Sequence, residues 1–409
     1  MKWRNHLLIL LVISPLLLLN CRDEVRSQPY FEKLLTLSAA GTPPHVGYVD
    51  TLRLPEYIEN DLLWPVPDEL VDDDFDPELL AYFQRDDNEL LCSGSSGTCK
   101  TYALPRDFQT VALVMNTDLF EESGIVPPDE LQNFDWDAFR EIAAMLTDAG
   151  EDVKGVGFTT SFANWLPFLF QANGSWFDEA GMSVTLDTDQ AREALTFYTD
   201  LVRDEYAIVV DGPGPYPGVY DEGGLLDMFV NEQVGMALIG PSMYHVLRIK
   251  YEQQGISEPP LKVVELPAGP TGAKATIAYV VGFGLFREPS APALELLEFV
   301  TSEEGMMIWF SPESLGLGSP VPVPPTYIPA RMSLRDAWME AHPGTEAFVE
   351  GAQHLAFYQP AVVPFGAMEE FDRQATEILR EVLLREMPVE EAVQELQAKG
   401  DEIMSGYGQ

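Results

Sequence analysis

Short apolar runs alternate with amphipathic helical stretches along most of this chain, and that alternation points to an α/β architecture. Strand-like runs fall at residues 45–50, 111–115, 155–158, 234–239, 261–266 and 277–286. Helical patterns fall at 30–40, 54–60, 136–149, 191–203, 291–300, 366–385 and 389–403. Within 136–149 the residues Trp136, Phe139, Ile142, Ala143 and Leu146 share one face. Gly41 suits a helix C-cap and Pro388 a helix start. At 409 residues the chain exceeds what one hydrophobic core organises, so two lobes are expected. The proline cluster at 320–325 reads as a loop between them.

The charge balance narrows the partners. Asp and Glu number 66 against 24 Lys and Arg, a net charge of −42. Such a surface repels phosphate backbones and anionic lipid, which argues against nucleic acid. The same acid surplus also fits a salty or an acidic habitat. Asp72, Asp73, Asp74 and Asp76 lack the glycine and distal Glu of a calcium hand and read as a solvated face. His6, His45, His245, His342 and His354 show no metal-ligand spacing, so no metal or cofactor is expected.

The N-terminus reads as an export signal. Lys2 and Arg4 precede an apolar stretch at 7–19, too short to span a bilayer comfortably. It runs into Leu18-Leu19-Asn20-Cys21, which resembles a bacterial lipobox, with Asn20 where Gly or Ala is usual. Residues 1–20 are then a signal peptide, Cys21 the lipidated residue and 21–29 a tether. The other reading is cleavage elsewhere, which leaves Cys21 a spare thiol. Cys92 and Cys99 enclose a Ser/Gly-rich loop and read as a disulfide in an exported chain.

Several blocks in order resemble the bacterial family 1 extracellular solute-binding proteins, the group that includes maltose-binding proteins. They are Tyr30-Phe31-Glu32-Lys33-Leu34-Leu35 through Ala40-Gly41-Thr42-Pro43, then Tyr102-Ala103-Leu104-Pro105-Arg106-Asp107 leading to Met115-Asn116-Thr117-Asp118-Leu119-Phe120. Phe134-Asp135-Trp136-Asp137-Ala138-Phe139 follows, then 229–240, where Met236-Ala237 inverts the family's usual pair. Leu266-Pro267-Ala268-Gly269-Pro270 and Val300-Thr301-Ser302-Glu303-Glu304-Gly305 complete the series. The resemblance covers 30–409 and implies an α/β two-lobed periplasmic-binding-protein type II fold with a hinge. It places 30–110 plus 282–318 in the N-lobe and 111–281 plus 319–409 in the C-lobe. Seven residues between Cys21 and Pro29 hold no room for the family's opening strand, helix and strand. The N-lobe sheet should therefore be incomplete at its start.

The resemblance implies the substrate-binding component of an ABC importer, monomeric and anchored by lipid at the outer face of the cytoplasmic membrane or in the periplasm. Its ligand would be a small carbohydrate or polyol, its other partner the permease. A sugar site needs groups that bond hydroxyls in pairs and aromatic faces against the ring. Position by position the resemblance points to Asp50, Arg53, Asp107 and Gln109, and Arg106 beside them offers a bidentate donor. From the C-lobe it adds Asn164, Trp165, Asn173, Ser242, Tyr244 and Tyr279, with Tyr358 beside them. Blander readings stand next to these: Trp165 in the core, Arg53 in a surface pair, Asp107 bonded to hinge backbone. Ser242 stands where maltose-type relatives carry Trp, and Glu369 near another stacking aromatic, which disfavours a long maltodextrin. Rival functions are a ligand-free remnant or adhesin of the same fold, and a secreted glycoside hydrolase, whose paired carboxyls 66 acids would supply by accident.

Overall fold

The computed structural model describes residues 28–86, 92, 99–150, 152–178, 181, 183–210, 224–310, 327–357, 363, 365–384 and 387–407. The export signal, Cys21, Tyr358 and the 320–325 cluster lie outside them. The strands in chain order are β1 (Val46–Asp50), β2 (Gln84–Arg85), β3 (Lys100–Thr101), β4 (Ala103–Thr110), β5 (Ala112–Asn116) and β6 (Lys154–Thr159). They continue with β7 (Ala207–Val210), β8 (Val234–Ile239), β9 (Leu261–Val264), β10 (Thr276–Leu285), β11 (Ile328–Pro329) and β12 (Leu355–Phe357).

Two mixed sheets carry the fold. The first has the order β1-β10-β4-β11, with β12 also paired to β10. The second has the order β7-β6-β8-β5-β9, in which β6 runs parallel to both β7 and β8. Helices cover the second sheet because parallel strands need crossovers on its faces. The Trp136–Ala149 helix starts at Asp135, whose carboxylate accepts the Ala138 N–H at 3.0 Å. It buries the five residues that the periodicity assigned to one face. The Phe162–Gln171 helix is buried almost all round and forms the middle of that core with the Asp189–Arg203, Phe365–Leu383 and Val389–Tyr407 helices.

The chain passes from β4 to β5 through Val111 alone, and β10 brings it back. Thr276 serves this crossing: its hydroxyl accepts the Val111 N–H at 3.2 Å and donates to the Val111 carbonyl at 2.7 Å. Strand pairing departs from the expected division at two points. β10 joins the first sheet from Thr276, opposite Leu355 of β12, and pairs with β4 from Ala278, opposite Thr110, rather than from 282; β11 and β12 belong to the first sheet although they lie in 319–409.

Among the described strands β1 pairs only with β10, so the first sheet opens at β1 with an unpaired outer edge. An open edge leaves N–H and C=O groups without partners. Tyr30, on the Gln28–Ala39 helix, closes it locally. Its hydroxyl accepts the Tyr48 N–H at 2.8 Å and donates to the Tyr48 carbonyl at 3.3 Å. One phenol thus does for Tyr48 what a neighbouring strand would.

The acidic loop is not a plain solvated face. Arg331 takes Asp72 at 3.0 Å and Asp74 at 3.1 Å, and Arg335 takes Asp76 at 2.7 Å. Asp76 also caps the Pro77–Ala81 helix through the Glu78 N–H at 2.9 Å. The acids are counter-charges for a segment some 259 residues later. A disulfide joins Cys92 and Cys99, their Cα atoms 6.0 Å apart.

Candidate functional site

Period-two alternation builds the site. On β10 the residues Tyr279, Val281 and Phe283 share one face, and the register sets Tyr279 opposite Gln109, Val281 between Asp50 and Asp107, and Phe283 opposite Tyr48. Tyr48, Asp50, Asp107, Gln109 and Tyr279 therefore stand on one face of three adjacent strands. The opposite face carries Val49, Phe108 and Val280 into an apolar core.

Arg106 departs from that alternation. Asp107 pairs with Val281 and Pro105 with Gly282, so Arg106 is the extra residue of a β-bulge. The bulge lets its guanidinium turn onto the neighbouring Asp107 carboxylate, with which it forms a buried ion pair. The same guanidinium lies 5.4 Å from the Tyr48 ring, 5.5 Å from Phe283 and 5.7 Å from Tyr327. A second pair lies on β1 and the turn after it. Asp50 accepts the Arg53 N–H at 2.8 Å and the Arg53 guanidinium at 2.9 Å. That guanidinium is held between two rings, 3.9 Å from Phe31 and 3.9 Å from Phe365.

Burial sets the electrostatics. It pushes the Asp50 and Asp107 carboxyls above their ordinary value, while Arg53 and Arg106 respectively pull the other way. It also pushes the Tyr48 and Tyr279 phenols up, with the Asp50 charge adding to both. The phenols stay protonated donors at neutral pH. Two carboxyls, two guanidinium groups and two phenols within one cluster can bond a polyhydroxylated ligand from several sides.

The remaining candidates lie elsewhere. Gln109 faces the cluster but accepts the Ser242 hydroxyl at 2.6 Å, which ties β4 to the start of the Pro241–Gln253 helix. Asn164 donates to the Thr159 hydroxyl within the second unit. Trp165 does not present a wall: it is 0% exposed, its ring 5.6 Å from Phe162, and its indole N–H is buried without a hydrogen-bond partner among the described residues. An apolar helix enclosed on all sides leaves no face for a ligand, so the core reading of Trp165 is the one the packing gives. Asn173 is exposed, at φ 58°, and donates to Thr271 at 2.7 Å. Tyr244 packs on Phe348, ring centroids 5.9 Å apart, in the apolar core that also takes Val49, Phe108 and Val280 from the opposite face of the first sheet.

Sequence reasoning missed Tyr48, Tyr327, Phe31 and Phe365. Tyr48 was within reach, since it lies two residues before Asp50 on a strand and must share its face. The rings around Arg53 come from residues 31 and 365, and no local pattern connects them.

Two α/β units joined by crossing strands, with a polar cluster on the crossing sheet, define a two-lobed binding protein. Residues 23–307 match the family described as bacterial extracellular solute-binding proteins, and the chain belongs to that family. A binding protein of Brucella abortus (strain 2308) is 27% identical over 281 residues, which is 67% of this chain and 62% of the relative. The match thus spans about 62% of the length of the curated relatives. Among solved structures, the sugar-binding protein MalE from Xanthomonas citri has a TM-score of 0.72 at 20% identity, covering 93% of this chain and 89% of that one. The GacH receptor of Streptomyces glaucescens, solved unliganded and with acarbose, has a TM-score of 0.68 at 17% identity, with 91% and 87% covered. UgpB from Mycobacterium tuberculosis, in complex with glycerophosphocholine, has 0.67 at 18%, with 92% and 88% covered. At these identities the likeness is one of fold. The family and these neighbours are binding proteins rather than enzymes.

Proposed function

We propose that this chain is the extracytoplasmic substrate-binding component of an ABC importer and captures a small carbohydrate or polyol between its two units. One observation carries the reading. Arg53, paired to Asp50 beside the first sheet, is held by Phe365, which begins a helix whose Ala367, Met368 and Phe371 belong to the second unit's core. That contact supports a binding cluster between the two units. Asp50, Arg53, Arg106, Asp107 and Tyr279 supply hydroxyl partners, and Tyr48 and Phe365 supply faces. The units rotate about Val111 and the start of β10 as rigid bodies. No residue in this reading does covalent chemistry; the chain acts as a monomer and delivers its solute to permease subunits. The MalE and GacH neighbours, described with sugar or acarbose, support a carbohydrate.

A thermal-shift screen of monosaccharides, disaccharides and polyols tests this. A ligand at a hundred times its Kd should stabilise the folded state by about 2.7 kcal/mol. Arg53→Ala should abolish the shift. A panel without a single saturable response would overturn the reading in favour of a ligand-free member of the family. We also propose that Cys21 carries the lipid anchor. Cys21→Ser should then move the protein from the membrane to the soluble fraction, and wild-type protein that is already soluble would exclude it.

A further inference from the structure

The Pro241–Gln253 helix carries Pro241, Tyr244, His245 and Arg248 at positions i, i+3, i+4 and i+7, one face of a helix. Opposite them stand Trp338, on the Arg335–Ala341 helix, and His342 one turn later. With Thr345 and Phe348 they enclose a cavity of about 20 Å³, room for one water-sized atom. Two of the chain's five histidines meet here.

The charges are unusual for this protein. Acids outnumber bases 66 to 24, yet among the described residues Arg248 forms no ion pair. The acids in electrostatic reach are Glu346, which accepts the Gly344 N–H at 3.2 Å, and Glu252, which is exposed on the far turn. The His342 Nδ1 lies 2.7 Å from the Trp338 carbonyl, so Nδ1 donates and Nε2 is left for another partner. A guanidinium, two imidazoles and the Tyr244 phenol thus line one small opening, without a carboxylate among the described residues of its walls.

We propose that this cavity binds a small inorganic oxyanion, phosphate or sulfate, at a site separate from the carbohydrate cluster. One oxygen would seat among His245, Arg248 and His342, and the others would remain at the mouth. Arg matches an oxyanion's geometry with two parallel donors, and charge-assisted bonds are the strong ones. Burial first, and Arg248 as well, hold both imidazoles below their ordinary value, which leaves them neutral at pH 7; the Trp338 carbonyl opposes this at His342 and Glu252 at His245. An anion favours their charged forms, so its binding takes up protons and strengthens as pH falls from 8 to 6.

The test titrates sodium sulfate, a dianion at both pH values, into the full chain against chloride at matched ionic strength, at pH 6 and pH 8, read by melting temperature and calorimetry. A saturable stabilisation is expected, larger at pH 6. Arg248→Gln should weaken it roughly tenfold or more, the loss of one charge-assisted bond, and leave any carbohydrate response in place. His245→Gln is the second variant, should the first unfold, and should remove much of the difference between the two pH values. Sulfate no better than chloride, or a full response in both variants, would overturn the proposal.

Discussion

The Asp50–Asp107 face of the first sheet and the Phe162–Gln171 helix of the second unit are equally hidden. Asp50 and Trp165 are each 0% exposed. They are hidden for opposite reasons. Around Trp165 the neighbours are aromatic and aliphatic, and burial itself is the stabilising event. Around Asp50 and Asp107 burial is a cost, met only by two guanidinium partners and held in place by a bulge and two rings. Concealment alone therefore does not distinguish a site from a core. The partners do.

Arg106→Met should break this contrast most severely. It leaves Asp107 buried with its charge unpaired, and stability should fall by about 3–5 kcal/mol in urea unfolding, with ligand response lost. A loss below 1 kcal/mol would mean that Asp107 is already neutral and the pair is not what holds the sheet face. Trp165→Ala should give a comparable loss of about 3–5 kcal/mol from the cavity it opens, but with affinity retained in the folded fraction. Weakened affinity beside an unaltered melting curve would put the ring back in a ligand wall.

Tyr30→Phe sharpens the comparison at the open edge. It strips the Tyr48 N–H and carbonyl of their partner and should cost about 1–3 kcal/mol. Hydrogen exchange at the Tyr48 amide should accelerate in the same variant.

The smallest effect is in the pH dependence. Burial works to raise the Asp74 carboxyl, but hydrogen bonds from Ser333 and Arg331 outweigh it and hold the group below its ordinary value. Its contribution is present above the unfolded carboxylate value near 3.9 and is lost as pH falls through the depressed folded value. Asp50 and Asp107, raised by burial, act with the opposite sign and favour the folded state as pH falls. Asp74→Asn should remove part of the acid limb of the stability curve, on the order of 1 kcal/mol or less for a partly exposed pair. An acid limb unchanged by this substitution would assign it to other carboxylates.

Local periodicity made much of this legible in the sequence alone. The α/β alternation, the buried stripe from Trp136 to Leu146 and the shared face of Asp107 and Gln109 follow from backbone repeats of 3.6 and 2.0 residues, which act between near neighbours. Tertiary structure alone decided the rest, because the deciding partner is distant or the register is set by another strand. The Arg106 bulge exists only relative to Val281 and Gly282 on β10. Arg53 is fixed by rings at 31 and 365, and the acidic loop by Arg331. Trp165 has one helical position whether it faces a cleft or a core. Which it faces depends on the helices that close over it, Asp189–Arg203 and, some two hundred residues further along the chain, Phe365–Leu383.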